Sequence, residues 1–325
     1  MKVGVVGSEG FLGTNLISGF DENDELKRFD ITGSSDGSVT RIDVARTISP
    51  ETFEGLEVLV NLAAVHRDDV RPITLYHEVN VKGAINLCNA ARASGVRTII
   101  FTSSVAVYGF APADTGEDGE PNYFNEYGKT KFHAEQVYQE WQAEDTKNRC
   151  LVIVRPTVIF GPGNRGNVYN LLQQVASGRF VMFGDGRNVK SMAYVENVAK
   201  FLVQCSGEKP GVHIYNYVDK PDLSMNQLVQ VARKTLFGKS GVGLRLPAFL
   251  GVFVGIGFDM LAWLARRPLP ISSIRVKKFM STTQFSSAVP ATGFEAPYTL
   301  AEGLEKTLRY EFLEDNRDKP TYETE

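Results

Sequence analysis

A tyrosine and a lysine at helical spacing could carry out acid–base chemistry in this chain. Tyr127 and Lys131 lie in the stretch NEYGKTKFHAE, and positions i and i+4 share one face of a helix. The Lys131 ammonium is therefore expected near the Tyr127 ring, where a cation favours phenolate and makes the tyrosine a usable acid or base. The alternative is a solvated pair on a helix surface, because this spacing is common by chance.

A serine precedes this pair at the end of a strand-like run. Ser104 lies in FTSSVAVYG (Phe101–Gly109), which follows the apolar run of residues 97–102. At the carboxyl end of a strand its hydroxyl could hydrogen-bond a reacting hydroxyl group. Ser104, Tyr127 and Lys131 are the candidate catalytic residues.

The segments that must position these residues alternate between strand-like and helical patterns. Short apolar runs predict strands at Val3–Val6, Leu26–Phe29, Val58–Leu62, Arg97–Thr102 and Leu151–Val154. Helical patterns lie between them at Leu12–Phe20, Leu75–Ala93 and Tyr127–Glu144. This alternation is typical of an α/β fold in which a doubly wound parallel sheet carries crossover helices on both faces.

A glycine-rich turn follows the first predicted strand. The stretch VVGSEGFLG contains Gly7, Gly10 and Gly13, with Phe11 and Leu12 between the last two. Glycine permits a tight turn and a close approach to a pyrophosphate, and the following helix supplies free N–H groups. The turn predicts a dinucleotide site, although three glycines alone could also form an ordinary turn.

An acidic residue ends the second predicted strand. Asp30 can accept hydrogen bonds from the adenosine ribose hydroxyls of a dinucleotide. Its charge repels a 2′-phosphate, which favours NAD over NADP, although Arg28 on the same strand could swing round to oppose this. Lys131 could in addition hydrogen-bond the nicotinamide ribose.

Further motifs accompany these features in a fixed order. They include Asp43-Val44, NLAA (Asn61–Ala64), VNVKGAINL (Val79–Leu87), YGKTK (Tyr127–Lys131) and RPTVIFGPG (Arg155–Gly163). Over nearly the whole chain the sequence resembles the extended short-chain dehydrogenase/reductase family. The resemblance implies a Rossmann domain that binds NAD(P) and a smaller C-terminal lobe that holds a sugar substrate.

The resemblance also implies roles for residues around the cofactor. Asp43 and Val44 would flank the adenine, and Pro156 and Val158 would lie near the nicotinamide. The remaining expected cofactor residues are Asn61, Leu62, Ala63, Asn80 and Thr102.

The length of 325 residues suits a Rossmann domain with a second lobe. The alternation of strands and helices fades in the second half of the chain. Residues 1–163, with a return segment at about 191–205, are expected to form the NAD-binding domain. Residues 164–190 and 206–315 would form an α+β substrate lobe, and residues 316–325 a frayed polar tail.

Two branches of the family are disfavoured by single positions. Its sugar 4,6-dehydratases carry an Asp-Glu pair directly after the serine or threonine of the strand end, where this chain has Val105 and Ala106, which transfer no protons. The GDP-fucose-synthase branch uses a histidine beyond the Arg-Pro strand, and GPGNRGNVYN contains none. What remains is hydride removal and return at C4, by a 4-epimerase or a simple 4-keto reductase.

The expected substrate lobe departs from the family's nucleotide-sugar enzymes at Lys190. Those enzymes usually carry an arginine there that grips a nucleotide diphosphate. Lysine holds a phosphate as a point charge and forms no bidentate fork, so ordinary UDP-sugar binding is in question; Lys190 could also be a solvated cation. The candidate substrate-binding residues are Ala64, His66, Val105, Asn164, Arg165, Asn167, Lys190 and Arg275.

An apolar run, LPAFLGVFVGIGFDMLAWLA (246–265), lies within a basic segment. Between residues 223 and 280 nine basic residues accompany one acidic residue, Asp259, a net +8 in a chain of net −3. The run could be a core helix, a membrane span or an interfacial element, and its proline, glycines and Asp259 disfavour a span. Basic flanks favour contact of residues 245–278 with anionic headgroups of the inner leaflet.

Several stretches are similar to the branch of the family that acts on lipid-linked sugars. They are HRDDV (66–70), RGNVYNLL (165–172), KSMAYV (190–195), YNYVDKPDLSMNQLV (215–229), SSIRVKKF (272–279) and TTQF (282–285). This resemblance implies 4-epimerisation of an N-acetylhexosamine on undecaprenyl pyrophosphate for O-antigen or surface polysaccharide biosynthesis. A UDP-HexNAc 4-epimerase or a nucleotide-sugar 4-keto reductase is the alternative. Family members often pair through two long helices, so a homodimer is expected.

The composition limits the metal sites, partners and location that can be expected. Three isolated cysteines and four scattered histidines show no metal-ligand spacing, so no metal is expected. A net charge of −3 gives no whole-chain reason to expect nucleic-acid binding. The first residues lack a signal-peptide pattern. We expect a cytoplasmic enzyme that associates peripherally with the inner face of the membrane.

Overall fold

Seven strands form one sheet in this structure, a computed structural model that describes residues 1–67, 69–251, 253, 256 and 280–324. Its strands are β1 (Lys2–Val6), β2 (Glu25–Asp30), β3 (Val39–Arg41), β4 (Val58–Asn61), β5 (Thr98–Thr102), β6 (Cys150–Pro156) and β11 (Gly211–Tyr217). Short strands outside this sheet are β7 (Val158–Phe160), β8 (Met182–Phe183), β9 (Val189–Lys190), β10 (Met192–Tyr194), β12 (Leu223–Ser224) and β13 (Arg245–Leu246).

The strand order is β3-β2-β1-β4-β5-β6-β11, and every neighbouring pair is parallel. The direction in which strands are added reverses at β1, which pairs with both β2 and β4. Val6 is in register with Phe29 and Asn61, so the carboxyl ends of these three strands are aligned. Doubly wound sheets bind ligands at such a switch point, and the predicted fold class is confirmed.

The α-helices are α1 (Phe11–Ile17), α2 (Thr74–Tyr76), α3 (Gly83–Ser94), α4 (Glu126–Ala143), α5 (Asn167–Ala176), α6 (Val195–Cys205), α7 (Met225–Phe237) and α8 (Leu300–Phe312). A π-helix, His77–Lys82, joins α2 to α3. Turns of 3-10 helix occur at Pro50–Phe53, Val105–Tyr108 and Val289–Thr292.

Helices cover both faces of the sheet. On one face α3 and α4 bury Leu87, Tyr138 and Trp141, and on the other α1 and α6 bury Leu16 and Phe201. All seven residues of β6 are buried, as expected for a parallel strand that is covered on both sides. This packing holds the carboxyl ends of the strands in fixed positions.

A third cluster of buried hydrophobic side chains, separate from the clusters on the two faces of the sheet, packs around α5, α7 and α8. Its buried side chains include Leu172, Leu228 and Leu304. The helices α7 and α8 each begin with a capping box, from Ser224 and Thr299 respectively, which satisfies free N–H groups of the first turn.

Two strands of the sheet were not predicted. β3 has three residues, two of them exposed, and therefore lacks an apolar run. β11 lies at the sheet edge, and only its last two residues are buried. It falls within residues 206–315, which are expected to form the substrate lobe, so the last strand of the sheet comes from beyond the expected return segment 191–205. A strand with one open edge needs fewer apolar residues and leaves a weaker pattern.

The apolar run 246–265 lies mostly outside the described residues. Residues 248–251 are helical, and the described side chains of Phe249, Phe253 and Ile256 are exposed. In the part of the chain that the structure describes, no helix has the length and hydropathy needed to cross a membrane.

Candidate active site

Ser104 lies two residues beyond the end of β5 and caps the start of the 3-10 helix Val105–Tyr108. Its Oγ accepts a hydrogen bond from the Ala106 backbone N–H at 3.1 Å, and the residue is half-buried. A hydroxyl that accepts from the backbone still has a hydrogen to donate. The serine is therefore oriented by its own turn at the edge of the sheet.

The start of α4 packs directly on this turn. Asn125 caps the helix by accepting a hydrogen bond from the Gly128 N–H at 2.9 Å. A Cβ at Gly128 would lie 2.4 Å from the carbonyl oxygen of Ala106, so only glycine allows this approach. The helix thus brings the half-buried Tyr127 against the turn that begins at Ser104.

Lys131 lies one helical turn beyond Tyr127 and is only 2% exposed. Its Nζ is 4.4 Å from the centroid of the Phe101 ring. Burial lowers the pKa of Lys131 to about 7, and the carboxylate of Glu135 opposes this shift.

A buried ion pair lies one turn further along α4. Arg155 donates to both carboxylate oxygens of Glu135, from Nε at 2.9 Å and from Nη2 at 2.6 Å. Ser103 Oγ donates to the same carboxylate. The exposed fractions of Glu135 and Arg155 are 0% and 4%. We did not predict this pair, although the i,i+4 spacing of Lys131 and Glu135 was a visible signal.

The ion pair also joins three strand ends. Arg155 Nη1 donates to the Tyr108 hydroxyl at 2.6 Å, and that hydroxyl donates to Asn216 Oδ1 at 2.8 Å. Arg155 belongs to β6, Asn216 to β11, and Tyr108 to the turn after β5. These bonds connect β6 and β11 to the turn that begins at Ser104.

The glycine-rich turn leaves no room for other side chains at two positions. Gly7 has φ +83°, and a Cβ there would lie 2.8 Å from the Ala63 backbone nitrogen. A Cβ at Gly13 would lie 2.2 Å from Gly7 O. At Gly10 a Cβ would meet only Gly7 O, at 3.4 Å, so this side of the turn is open to a ligand. The arrangement fits the close approach of a pyrophosphate to Gly10, Phe11 and Leu12.

Asp30 and Arg28 at the end of β2 both contact Glu9 of the turn. Asp30 Oδ2 accepts a hydrogen bond from the Glu9 N–H at 3.1 Å. Arg28 Nη2 donates to Glu9 Oε1 at 2.6 Å. Arg28, the cation that was expected to oppose the preference for NAD, is thus paired with the carboxylate of Glu9.

We expect Glu9→Gln to improve the binding of NADP relative to NAD by about tenfold, because it releases one partly exposed arginine for a phosphate contact. Titration with NADH and NADPH, followed by fluorescence, measures the ratio. Adding Arg28→Met to this variant should cancel the gain. An unchanged ratio in Glu9→Gln would show that Glu9 does not restrain Arg28.

Two amides that were expected to line the cofactor groove hold the loop after β4. Asn61 Nδ2 donates to the Tyr138 hydroxyl at 2.8 Å, and its Oδ1 accepts from the Ala63 N–H at 3.1 Å. Asn80 donates to Val65 O at 3.0 Å and accepts from Val65 N–H at 2.8 Å. These bonds shape the loop that contains Leu62, Ala63 and Ala64.

The Asp43-Val44 loop lies against the start of α3. Val44 is buried, and a Cβ at Gly83 would be 3.0 Å from Val44 Cγ2. Asn86 Nδ2 donates to Val44 O at 2.8 Å, and Asp43 Oδ1 accepts from the Ala45 N–H at 3.0 Å. The loop is therefore rigidly placed beside β1 to β3, on the side expected to receive the adenine.

On the expected nicotinamide side, a buried hydroxyl is left without a partner. Thr102 Oγ1, at the end of β5, has no hydrogen bond from any residue that the structure describes. Pro156 is buried and ends β6, and Val158 is 37% exposed. A buried unpaired hydroxyl at this edge is a group that a bound ligand can satisfy.

The loop after β7 contains three expected substrate residues. Asn164 is buried; its Oδ1 accepts from the Gly166 N–H at 2.8 Å, and its Nδ2 has no partner among the described residues. The Arg165 guanidinium pairs with Glu311 at 2.8 Å and lies 4.2 Å from the centroid of the Tyr169 ring. Asn167 begins α5.

The other expected substrate residues lie on separate elements. Burial lowers the pKa of His66, whose Nδ1 is 3.5 Å from Ala64 O. Burial also lowers the pKa of Lys190, and its Nζ donates to Thr283 Oγ1 at 3.2 Å. Val105 is half-buried next to Ser104. Arg275 lies outside the described residues.

Two relatives and a solved structure are similar to the chain over nearly its full length. It is 44% identical over 326 residues to the N-acetyl-alpha-D-glucosaminyl-diphospho-ditrans,octacis-undecaprenol 4-epimerase of Escherichia coli O157:H7, which covers 99% of this chain and 98% of that enzyme. It is 27% identical over 332 residues to the UDP-glucose 4-epimerase of Vibrio cholerae, with 96% of each covered. The UDP-glucuronic acid 4-epimerase from Bacillus cereus, solved in complex with NAD, shares the fold with a TM-score of 0.73 at 19% identity, over 95% of this chain and 98% of that chain.

A model of a sequence family matches the part of the chain that contains the glycine turn, Ser104, Tyr127 and Lys131. The match extends over residues 3–216, and the family is described as NAD dependent epimerase/dehydratase. This finding confirms the predicted cofactor, NAD, and the predicted type of enzyme. The chain belongs to the NAD dependent epimerase/dehydratase family.

Proposed function

We propose that this protein inverts C4 of N-acetylglucosamine carried on undecaprenyl pyrophosphate and so forms the lipid-linked N-acetylgalactosamine. The observation that carries this proposal is the 44% identity, over 99% of the chain, to an enzyme whose name states a 4-epimerase acting on the glucosaminyl-diphospho-undecaprenol. The product would serve the synthesis of O-antigen or another surface polysaccharide.

The chemistry follows from the three residues at the carboxyl edge of the sheet. NAD, when bound, supplies a hydride acceptor that later returns the hydride. Tyr127 takes the proton of the C4 hydroxyl, and Ser104 donates a hydrogen bond to the oxygen at C4. The charge of Lys131 favours the phenolate of Tyr127. After the 4-keto sugar has turned in the pocket and presents the other face of C4 for reduction, Tyr127 gives the proton back to the C4 oxygen.

The two residues that follow Ser104 in this chain, Val105 and Ala106, support epimerisation over dehydration. Elimination of water between C5 and C6 needs an acid and a base close to the sugar. The two residues that follow Ser104 are Val105 and Ala106, and Ala106 contributes backbone groups to the contact with Ser104 and Gly128. Neither side chain can transfer a proton.

Exposed residues from Leu244 onward support a sugar substrate that is carried on a lipid. Leu244, Phe249 and Phe253 are 60%, 58% and 67% exposed, which places large apolar side chains at the start of the basic segment 245–278. Exposed apolar side chains beside basic residues suit the surface of an anionic bilayer. We propose that this part of the protein lies on the inner leaflet of the membrane, and that the enzyme is a homodimer through α3 and α4.

The loop after β7 is the proposed site for the pyrophosphate or the acetamido group. Asn164 contributes a buried amide with unused donors, and Arg165 a cation held in place by Glu311. Asn167, His66 and Lys190 would complete the set. Lys190 binds a phosphate as a point charge, and this suits a carrier that lacks a nucleotide.

A comparison of two substrates tests the proposal. Purified protein with NAD is incubated separately with GlcNAc-PP-undecaprenol in detergent and with UDP-GlcNAc, and the released sugars are separated to detect GalNAc. We expect conversion of the lipid-linked sugar and at most slow conversion of UDP-GlcNAc. Conversion of UDP-GlcNAc alone would establish the alternative, a UDP-HexNAc 4-epimerase. Net consumption of NADH or NADPH by a 4-keto sugar would indicate a nucleotide-sugar 4-keto reductase.

A further inference from the structure

The segment 320–324 follows α8 and returns to the carboxyl edge of the sheet. The Tyr322 N–H donates to Gly163 O at 2.9 Å, and the Arg165 N–H donates to Tyr322 O at 2.8 Å. Thr324 Oγ1 donates to Asn164 Oδ1 at 3.1 Å. We expected this tail to be frayed because its composition is polar, but it is bound to the loop after β7 on both sides of Asn164.

The loop sequence is shaped to accept this segment. A Cβ at Gly163 would lie 3.2 Å from Pro320 O, and a Cβ at Gly166 would lie 2.6 Å from Thr324 Oγ1. Gly163 also has φ +83°, which side chains other than glycine rarely adopt. Two glycines of GPGNRG therefore allow the close contact with residues 320–324.

The same segment reaches two other loops. The ring of Tyr322 lies 5.7 Å from the ring of Phe11 in the glycine-rich turn, measured between centroids. The backbone of Glu323 lies close enough to the His66 ring after β4 to interact with it electrostatically, and the Glu323 carboxylate attracts Arg67. The segment thus connects the loops that follow β1, β4 and β7. The loops after β1 and β4 flank the switch point of the sheet, where a dinucleotide lies across the strand ends.

The segment does not fill the turn itself. Apart from Gly7 O and the adjacent residues Glu9 and Phe11, no atom of the described residues lies within 4 Å of the position that a Cβ at Gly10 would take. The backbone approach expected for the pyrophosphate therefore remains open while Tyr322 packs beside it on Phe11. A segment in this position crosses the edge of the cleft and leaves the place of the cofactor free.

We propose that residues 320–324 are a strap that retains NAD. Epimerisation returns the hydride to the same sugar from which it was taken, so the reduced cofactor must stay in place until the cycle ends. Contacts from the strap to three loops oppose the separation of those loops, which the release of a dinucleotide requires. The proposal concerns the cofactor and holds for a lipid-linked or a nucleotide-linked sugar.

The rate at which NADH dissociates from the protein tests the proposed strap directly. Protein loaded with NADH is mixed with excess NAD, and the decay of the bound fluorescence gives the dissociation rate. A chain that ends at Lys319 should release NADH at least about tenfold faster, since changes in affinity appear mainly in dissociation. Tyr322→Ala keeps the backbone bonds and should accelerate release about two- to tenfold, the range for one aromatic pair.

Arg317→Ala is the matched control, because this side chain lies in the same terminal stretch, is 88% exposed and pairs only with Asp315 among the contacts described. It should leave the release rate unchanged. Thermal unfolding without cofactor shows whether each variant is folded. If the chain that ends at Lys319 does not fold, the rate of NADH release from Tyr322→Ala tests the proposal. Unchanged release in folded variants would overturn the proposal. Slower release would also overturn it, since the segment would then obstruct the site.

Discussion

Replacing Tyr127 with phenylalanine is expected to lower the turnover of epimerisation by about 10²–10⁴-fold, the usual contribution of a positioned acid–base group. The variant loses only the phenolic oxygen, which we propose exchanges the proton of the C4 hydroxyl. The packing of α4 on the turn after Ser104 depends on Gly128 and Asn125, so it should persist. Initial rates with GlcNAc-PP-undecaprenol measure the effect.

Bound NAD and the unfolding temperature distinguish lost chemistry from lost structure. Both should match the unchanged protein in Tyr127→Phe. Tyr123→Phe is the matched control, because Tyr123 precedes α4 and is 36% exposed, with its ring beside Phe132 and His133. It should keep nearly full turnover. Nearly full turnover in Tyr127→Phe would instead show that another group exchanges the proton.

Replacing Glu135 with glutamine is expected to lower the free energy of unfolding by about 3–5 kcal/mol, the usual effect of removing one partner of a buried ion pair. Arg155 is 4% exposed, so its charge would remain away from water without a carboxylate. The bond from Ser103 to the carboxylate is weakened as well. Denaturation with urea, followed by circular dichroism, measures the change.

A second variant separates the charge from the packing. Glu135→Leu combined with Arg155→Met removes both charges and should restore a large part of the stability lost in Glu135→Gln, because apolar replacement of a whole pair is often neutral. Asp315→Ala, which breaks an exposed ion pair, should leave the unfolding curve unchanged. If Glu135→Gln proved as stable as the unchanged protein, the pair would not hold β6 to α4.

Patterns along the chain were sufficient for most of the fold. The five predicted strands and three predicted helices are present, with ends that differ by up to three residues. These elements are buried on at least one face, and burial imposes an apolar period on the sequence. β3 and β11 at the two edges of the sheet were missed, because an edge strand is covered less and has a weaker period.

In the candidate site, too, residues at short spacings could be predicted from the sequence, whereas contacts between distant elements could not. Ser104, Tyr127 and Lys131 were found because the relevant spacings are short: a strand end, and one turn of a helix. The partner of Glu135 comes from β6, and only the packing of α4 on the sheet brings Arg155 to it. Asn61 and Asn80 are predicted cofactor residues, and only the structure shows that their amides also form hydrogen bonds within the protein.

By itself, the sequence determined the fold class, the dinucleotide turn, the three catalytic candidates and the absence of a dehydratase acid–base pair at Val105 and Ala106. Each of these depends on residues that are close together along the chain. Only the tertiary structure decided that Glu9 holds Arg28, that a buried ion pair supports Lys131, and that residues 320–324 bind across three loops. Contacts between distant residues depend on how the elements pack, and the polar composition of a tail does not show where it will dock.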